Sequence, residues 1–271
     1  MMGLTAMATR TASPKARALV RSASRKRGPA PPSRPKVDVP PADDALDEAA
    51  LFRLMTWLSP AYPVGAFAYS SGLEWAVEAA DVRDLTTLQA WLAAVLTEGS
   101  GWSDSVLFSA AHRALTGADD RALVDTAELA AALVASRERY LETITLGNAF
   151  VEVTRAAWPC EALNRLQALR RGPVAYPVAV AAACAGHGIA LRPALSAFVT
   201  ALLSNWVSAG LRLIPLGHTD GQRLLGALAP TAAATVQQAL AARLEDVGST
   251  TFRADIAGAR HETQYTRLFR S

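Results

Sequence analysis

Apolar positions along this chain recur almost everywhere at helical spacing. Leu51, Leu54, Met55 and Leu58 stand at i, i+3, i+4 and i+7, which predicts a helix stopped by Pro60 and Pro63. Ser71 followed three residues later by Glu74 reads as a capping box, so a helix is predicted from about residue 72 to about residue 80. Asp84 opens another, with Leu85, Leu88, Trp91, Leu92, Val95 and Leu96 on one face. Val106, Leu107, Ala110 and Ala111 mark a fourth. A longer helical region is predicted over about 120–156, ending before Pro159, and another over about 160–171, ending at Gly172 and Pro173. Tyr176 and Pro177 open an alanine-rich helix that ends near Gly186–Gly188, and Pro193 begins a long apolar one that runs through Leu213. Two more are predicted over about 219–228 and about 231–246. No stretch alternates as a strand does, and no fixed-period repeat is visible. The fold class predicted is all-α: a single-domain bundle of about ten helices over 44–250.

The segment from Val174 to Leu191 lacks Asp, Glu, Lys and Arg, and the next is also apolar, so a membrane crossing has to be weighed. Pro177, Gly186, His187 and Gly188 interrupt the first stretch, and Ser196, Thr200, Ser204, Asn205 and Ser208 dot the second. Small residues dominate both, the pattern of a buried central pair of helices, and no membrane association is expected.

Composition changes the picture at the N-terminus. Of 27 basic and 24 acidic residues, nine and one fall in positions 1–40, leaving 18 and 23 beyond, a net charge near −5 for the body. The sequence pI of about 9.1 therefore reports a basic tail, and a nucleic-acid-binding body is not expected. Residues 1–43, rich in Pro, Ala, Ser and Arg, cannot bury enough apolar surface to offset ordering entropy and are predicted to be a disordered extension. Their composition is superficially that of a transit peptide, but a plain unstructured extension fits better. Two cysteines, Cys160 and Cys184, make no disulfide framework, and a cytoplasmic location is expected.

The chemistry is thin. All three lysines, at 15, 26 and 36, precede the body, which leaves no lysine for a Walker-A loop or a Schiff base. Cys184 and His187 are spaced to share a soft metal ion, though an inert buried Cys beside a helix-ending His is the simpler reading. His261 and Glu262 read as solvated polar residues. Glu138 and Glu142, with Arg137 and Arg139, have the spacing of ion pairs along a solvent-facing helix. No nucleophile motif is present. No catalytic, cofactor-binding or metal-binding residue is assigned, and a protein that is not an enzyme is expected. The alternative is a soluble helical metal-dependent enzyme using His112, His187 or His218.

Two segments instead suggest recognition. In 59–74, Pro60, Pro63 and Gly65 set a stiff loop that carries Tyr62, Phe67 and Tyr69 to the start of a helix. The rings either present a docking surface or plug the end of the bundle. At the other end, Leu268 and Phe269 lie between Arg267 and Arg270 in an aperiodic stretch. They are held either by another protein or by the chain's own core.

These segments resemble the urease accessory protein UreF family. Ser59 and Pro60, then Pro63, Gly65, Phe67, Tyr69, Ser70, Gly72, Leu73 and Glu74, resemble its N-terminal signature. The run Leu211 to Gly217, with Gly221 and Gln222, is similar to the family's block after its long apolar helix, and His261 to Ser271 is similar to its C-terminus. The family often has Gln at the position of His218 and Ser at that of Thr266, the second change keeping a hydroxyl. The resemblance covers about 50–271 and implies a non-enzymatic, all-helical homodimer without a cofactor. It implies binding to UreD (also called UreH), recruitment of the GTPase UreG, nickel delivery to apo-urease and control of GTP hydrolysis by UreG. Partner contact is then expected at Pro63, Gly65, Phe67, Tyr69, Ser70 and Glu74. A partner-binding tail over 251–271 would use Tyr265, Arg267, Leu268, Phe269 and Arg270, with Leu268 and Phe269 as buried anchors and the arginines as paired charges.

Overall fold

A computed structural model describes residues 46–271, and the expected disorder of 1–43 lies outside the described residues. The described chain is all-α, with eleven α-helices, two short 3-10 turns and no strand. In chain order the helices are α1 (Glu48–Trp57), α2 (Leu73–Glu78), α3 (Leu85–Glu98), α4 (Ser100–Thr116), α5 (Asp120–Ala132) and α6 (Arg137–Ala157). They continue with α7 (Glu161–Leu169), α8 (Tyr176–Gly186), α9 (Leu191–Leu213), α10 (His218–Ala241) and α11 (Phe252–His261).

The bundle is built around α8. Every residue from Pro177 to Cys184 is buried, and α4, α6, α7 and α9 pack around it. Alanine at four of these positions keeps the helix thin, so that its neighbours approach closely. Gly147 of α6 marks one such approach: a Cβ there would stand 2.0 Å from the Val174 carbonyl oxygen. Phe108, Phe150, Tyr176 and Phe198 fill the wider spaces with tilted and edge-on ring pairs.

Several boundaries differ from expectation for local reasons. The region 120–156 is two helices, because Ser136 caps α6 by accepting a hydrogen bond from the Arg139 N–H. The two helices expected over 219–246 are one. Helix α10 runs through Pro230 because Leu224, Leu228, Ala232, Thr235, Val236 and Ala239 continue a single buried stripe across it. That shared burial offsets the hydrogen bond lost at the proline. In α1 the buried face is Ala50, Leu54 and Trp57, so Leu51 and Met55, expected on the core side, are exposed together with Phe52. The helix is apolar on two adjacent faces, and periodicity could not say which one the body covers.

Helices α9 and α10 are long and apolar enough to cross a membrane by length and composition. Half of the most apolar window of α9 is buried against the rest of the bundle.

Candidate partner-binding site

The chain does not continue α2 backwards into a capping box. Ser71 has φ of 56°, and Gly72, at φ of 82°, is the cap residue. A Cβ on Gly72 would stand 2.7 Å from the Gly258 nitrogen, so glycine serves both the left-handed backbone and the close approach of α11. This geometry frees the carboxylate of Glu74 from capping and turns it toward the C-terminal segment.

Glu74 is the hub. Its Oε1 accepts the Leu268 N–H at 2.6 Å, and its Oε2 accepts the Phe269 N–H at 2.9 Å. His261 Nε2 lies 2.9 Å from the same Oε2, and His261 Nδ1 lies 2.5 Å from Glu138 Oε2. Arg267 donates to Glu138 Oε1 at 2.6 Å. Farther along, Arg270 N–H donates to the Ala68 carbonyl and Ser70 N–H to the Ser271 carbonyl, both at 2.8 Å. The Ser70 hydroxyl donates to that same Ser271 oxygen, and the Ser271 hydroxyl donates to Glu142 Oε2 at 2.5 Å. The tail thus lies along residues 68–74 as a strap fastened mainly through its backbone. Bonds to an ionised carboxylate of this kind contribute about 1.5–3 kcal/mol each.

Below the strap is a second charged layer. Arg139 pairs with Glu142 at 2.5 Å and with Asp104 at 3.8 Å. Ser71 Oγ accepts from Arg139 at 3.1 Å and from Trp206 Nε1 at 3.1 Å, and donates to Glu142 Oε1 at 3.0 Å. Glu142 is buried and Arg139 nearly so; this corrects the expectation of a solvent-facing face on α6. The carboxylate-arginine spacing was visible, but the helix turns it inward under the tail. Burial works against the Arg139 charge, yet Glu142 and Asp104 outweigh it and hold the guanidinium more firmly protonated. Burial, with the neighbouring Glu142 charge and against the pull of Arg139, raises the Asp104 carboxyl to about 6. His261, expected to be solvated, is wholly buried.

Arg212 joins all three sequence blocks. It sits in the block after α9's apolar run, donates to the Phe67 carbonyl at 2.8 Å, and places its guanidinium carbon 4.2 Å from the centre of the Phe269 ring. Burial lowers the pKa of this guanidinium. Residues near 67, 212 and 269, far apart in sequence, therefore meet at one place.

The structure sorts the expected partner residues into those that build the strap's seat and those that face outward. Ser70, Glu74, Arg267 and Phe269 build it, and Phe269 is buried against the chain's own body. The Arg270 backbone belongs to it while its side chain is exposed. Phe67, Leu268 and Tyr265 face outward, so Leu268 is not a buried anchor within this chain. Pro63 is exposed on the loop, and Gly65 holds φ of 80° at the turn. Tyr69 is buried, and Tyr62 is also buried with its hydroxyl 2.8 Å from Thr154 Oγ1. Those two rings plug the bundle, whereas Phe67 is presented. Sequence reasoning missed Arg212, Glu138, Glu142 and His261 as parts of the seat. The i, i+4 spacing of Glu138 and Glu142 was the available signal.

Other candidate chemistry is occupied elsewhere. His112 Nε2 is 2.8 Å from the Ile189 carbonyl oxygen, and burial lowers that imidazole's pKa. His187 Nε2 is 3.1 Å from the Trp158 carbonyl oxygen. Cys184 is fully enclosed, with burial pushing its thiol upward. Among the described residues no three His, Cys, Asp or Glu side chains are grouped to hold a metal ion.

Comparison with known proteins places the chain in a family. The UreF family profile matches residues 82–229. A urease accessory protein UreF of Rhodopseudomonas palustris (strain BisB18) is 60% identical over 227 residues, covering 84% of this chain and 94% of the relative. One from Bradyrhizobium diazoefficiens (strain USDA 110) is 56% identical over 227 residues, covering 84% and 94%. Another from Bradyrhizobium sp. (strain ORS 278) is 55% identical over 233 residues, covering 86% and 97%. A matched relative at this identity over most of both chains leaves one assignment: the chain belongs to the UreF family of urease accessory proteins.

Proposed function

We propose that this chain is a non-catalytic assembly chaperone of urease maturation. It bridges UreD (UreH) and the GTPase UreG, supports nickel insertion into apo-urease, and sets when UreG hydrolyses GTP. The observation that carries the reading is the composite surface: the tail strap seated on residues 68–74 and Arg212, with Phe67, Leu268 and Tyr265 left facing outward. Three large apolar side chains around a rigid, internally satisfied seat are suited to a protein partner, because the ordering cost has already been met within the chain.

The acidic body without lysine fits a regulator that has no nucleotide site of its own. A homodimer in the cytoplasm is part of the proposal. Support for self-association comes from the uncovered stripe Leu51, Phe52 and Met55 on α1, beside a cavity of about 550 Å³ between α1 and α9. Deleting residues 265–271 is expected to abolish co-purification with UreD while the far-ultraviolet circular dichroism of the body stays helical. Undiminished UreD capture by a folded truncation would overturn the reading.

A further inference from the structure

We infer that docking of the C-terminal strap takes up a proton, held between Glu74, His261 and Glu138. The inference concerns regulation of the surface proposed above as the partner site, and it is tested on the isolated protein so that the two can fail separately.

The reasoning is a count of hydrogens. His261 is wholly buried, with one ring nitrogen 2.9 Å from Glu74 Oε2 and the other 2.5 Å from Glu138 Oε2. A neutral imidazole has one N–H, so with two ionised carboxylates one of these contacts would set a nitrogen lone pair against an oxygen lone pair. Both contacts are bonds only if the trio carries one more proton.

The other donors say where that proton sits. Glu74 already accepts the Leu268 and Phe269 N–H groups, and Glu138 accepts Arg267. Carboxylates surrounded by donors stay ionised, so the proton belongs to the ring and His261 is an imidazolium in the docked state.

The surroundings support a cation there. From α2 comes Glu74 and from α6 comes Glu138, and the tail supplies the cation Arg267. Behind them on α6 stand Arg139 and Glu142, with Asp104 of α4 and Asp255 of α11 acting on Arg139. Loss of the proton to solvent leaves one carboxylate of the trio buried without its donor, while the same Glu74 must still hold the strap's amides. The strap is therefore fastened when His261 is charged and loosened as pH rises, because the docked state binds the proton that the released state gives up.

The test is amide hydrogen exchange of residues 262–271 in the full-length protein, corrected for intrinsic exchange rates, from about pH 6 to about pH 9. Nitrogen NMR of the His261 ring at the low end is recorded alongside. Expected are two protonated ring nitrogens and a protection factor for the Leu268 and Phe269 amides that falls tenfold or more across the range. His261→Gln, whose amide cannot donate to two carboxylates on opposite sides, should lower protection at the acid end and flatten the dependence. A ring with one protonated nitrogen, a protection factor independent of pH, or a His261→Gln slope equal to that of the unsubstituted protein would each overturn the inference. None of these results bears on whether UreD binds the surface.

Discussion

Helix α8 and the strap's seat are both buried, but they are held together by different means. Around α8, apolar side chains from α4, α6, α7 and α9 exclude water, and close approaches such as that at Gly147 set how near the helices come. In the seat, Glu74, Glu138, Glu142 and Arg139, together with His261, bring charged and polar groups into a protected place, and each requires a particular partner atom. Non-directional burial makes a core that tolerates modest repacking. A network of matched donors and acceptors makes a site that recognises one segment and can release it when a partner atom is lost. The first device gives the bundle its stability; the second gives the chain an end that can be displayed in one defined conformation.

The difference can be sharpened by substitution, beginning with the core. Gly147→Ala places a methyl 2.0 Å from the Val174 carbonyl oxygen, and α6 would have to leave α8. A loss on the order of 4 kcal/mol is expected, read as a large fall in thermal midpoint or a failure to accumulate folded protein. An ordinary midpoint would show that the helices yield at this contact. In the seat, Phe269→Ala removes the ring from beneath Arg212. It should weaken UreD binding by about 2 kcal/mol while changing the global unfolding midpoint far less than the core substitution does. Unchanged UreD affinity with a large loss of stability would make the ring a core residue in the sense that Phe198 is.

Asp104 gives the smallest effect, confined to a pH window. Its carboxyl is raised from 3.8 to about 6 by burial, so the folded state keeps a proton that the unfolded chain has released. Its contribution to stability therefore falls as pH rises between about 4 and about 6. Asp104→Asn should flatten that part of the curve in denaturant titrations at pH 4, 5 and 6; an unaltered slope would assign it to other carboxylates.

How much of this was legible in the sequence follows the same division. The helices were legible because burial writes itself as periodicity, and Asp84 with its Thr87 bond or Leu88, Leu92, Val95 and Leu96 fell where the pattern put them. Where a helix offered two apolar faces, as α1 does, the pattern was ambiguous. The seat was legible only as separate pieces. Ser71 and Glu74 spelled a capping box, yet the left-handed backbone at Ser71 and Gly72 redirected both side chains. Glu142 and Arg139 looked like surface charges because nothing local says that a strap will cover them. Helix α11 was read as part of the tail, and its burial of Ala257, Gly258 and His261 depends on α2 and α6. Long-range pairing of single polar atoms leaves no periodic trace.

The composite surface is tested most directly at Leu268, which is exposed and takes no part in the core. Calorimetric titration of UreD into Leu268→Asp should show at least a roughly tenfold loss of affinity, with thermal unfolding unchanged, because the charge would enter the partner's contact and nothing else. Equal affinity for the variant and the unsubstituted chain would contradict a partner surface built on the docked strap.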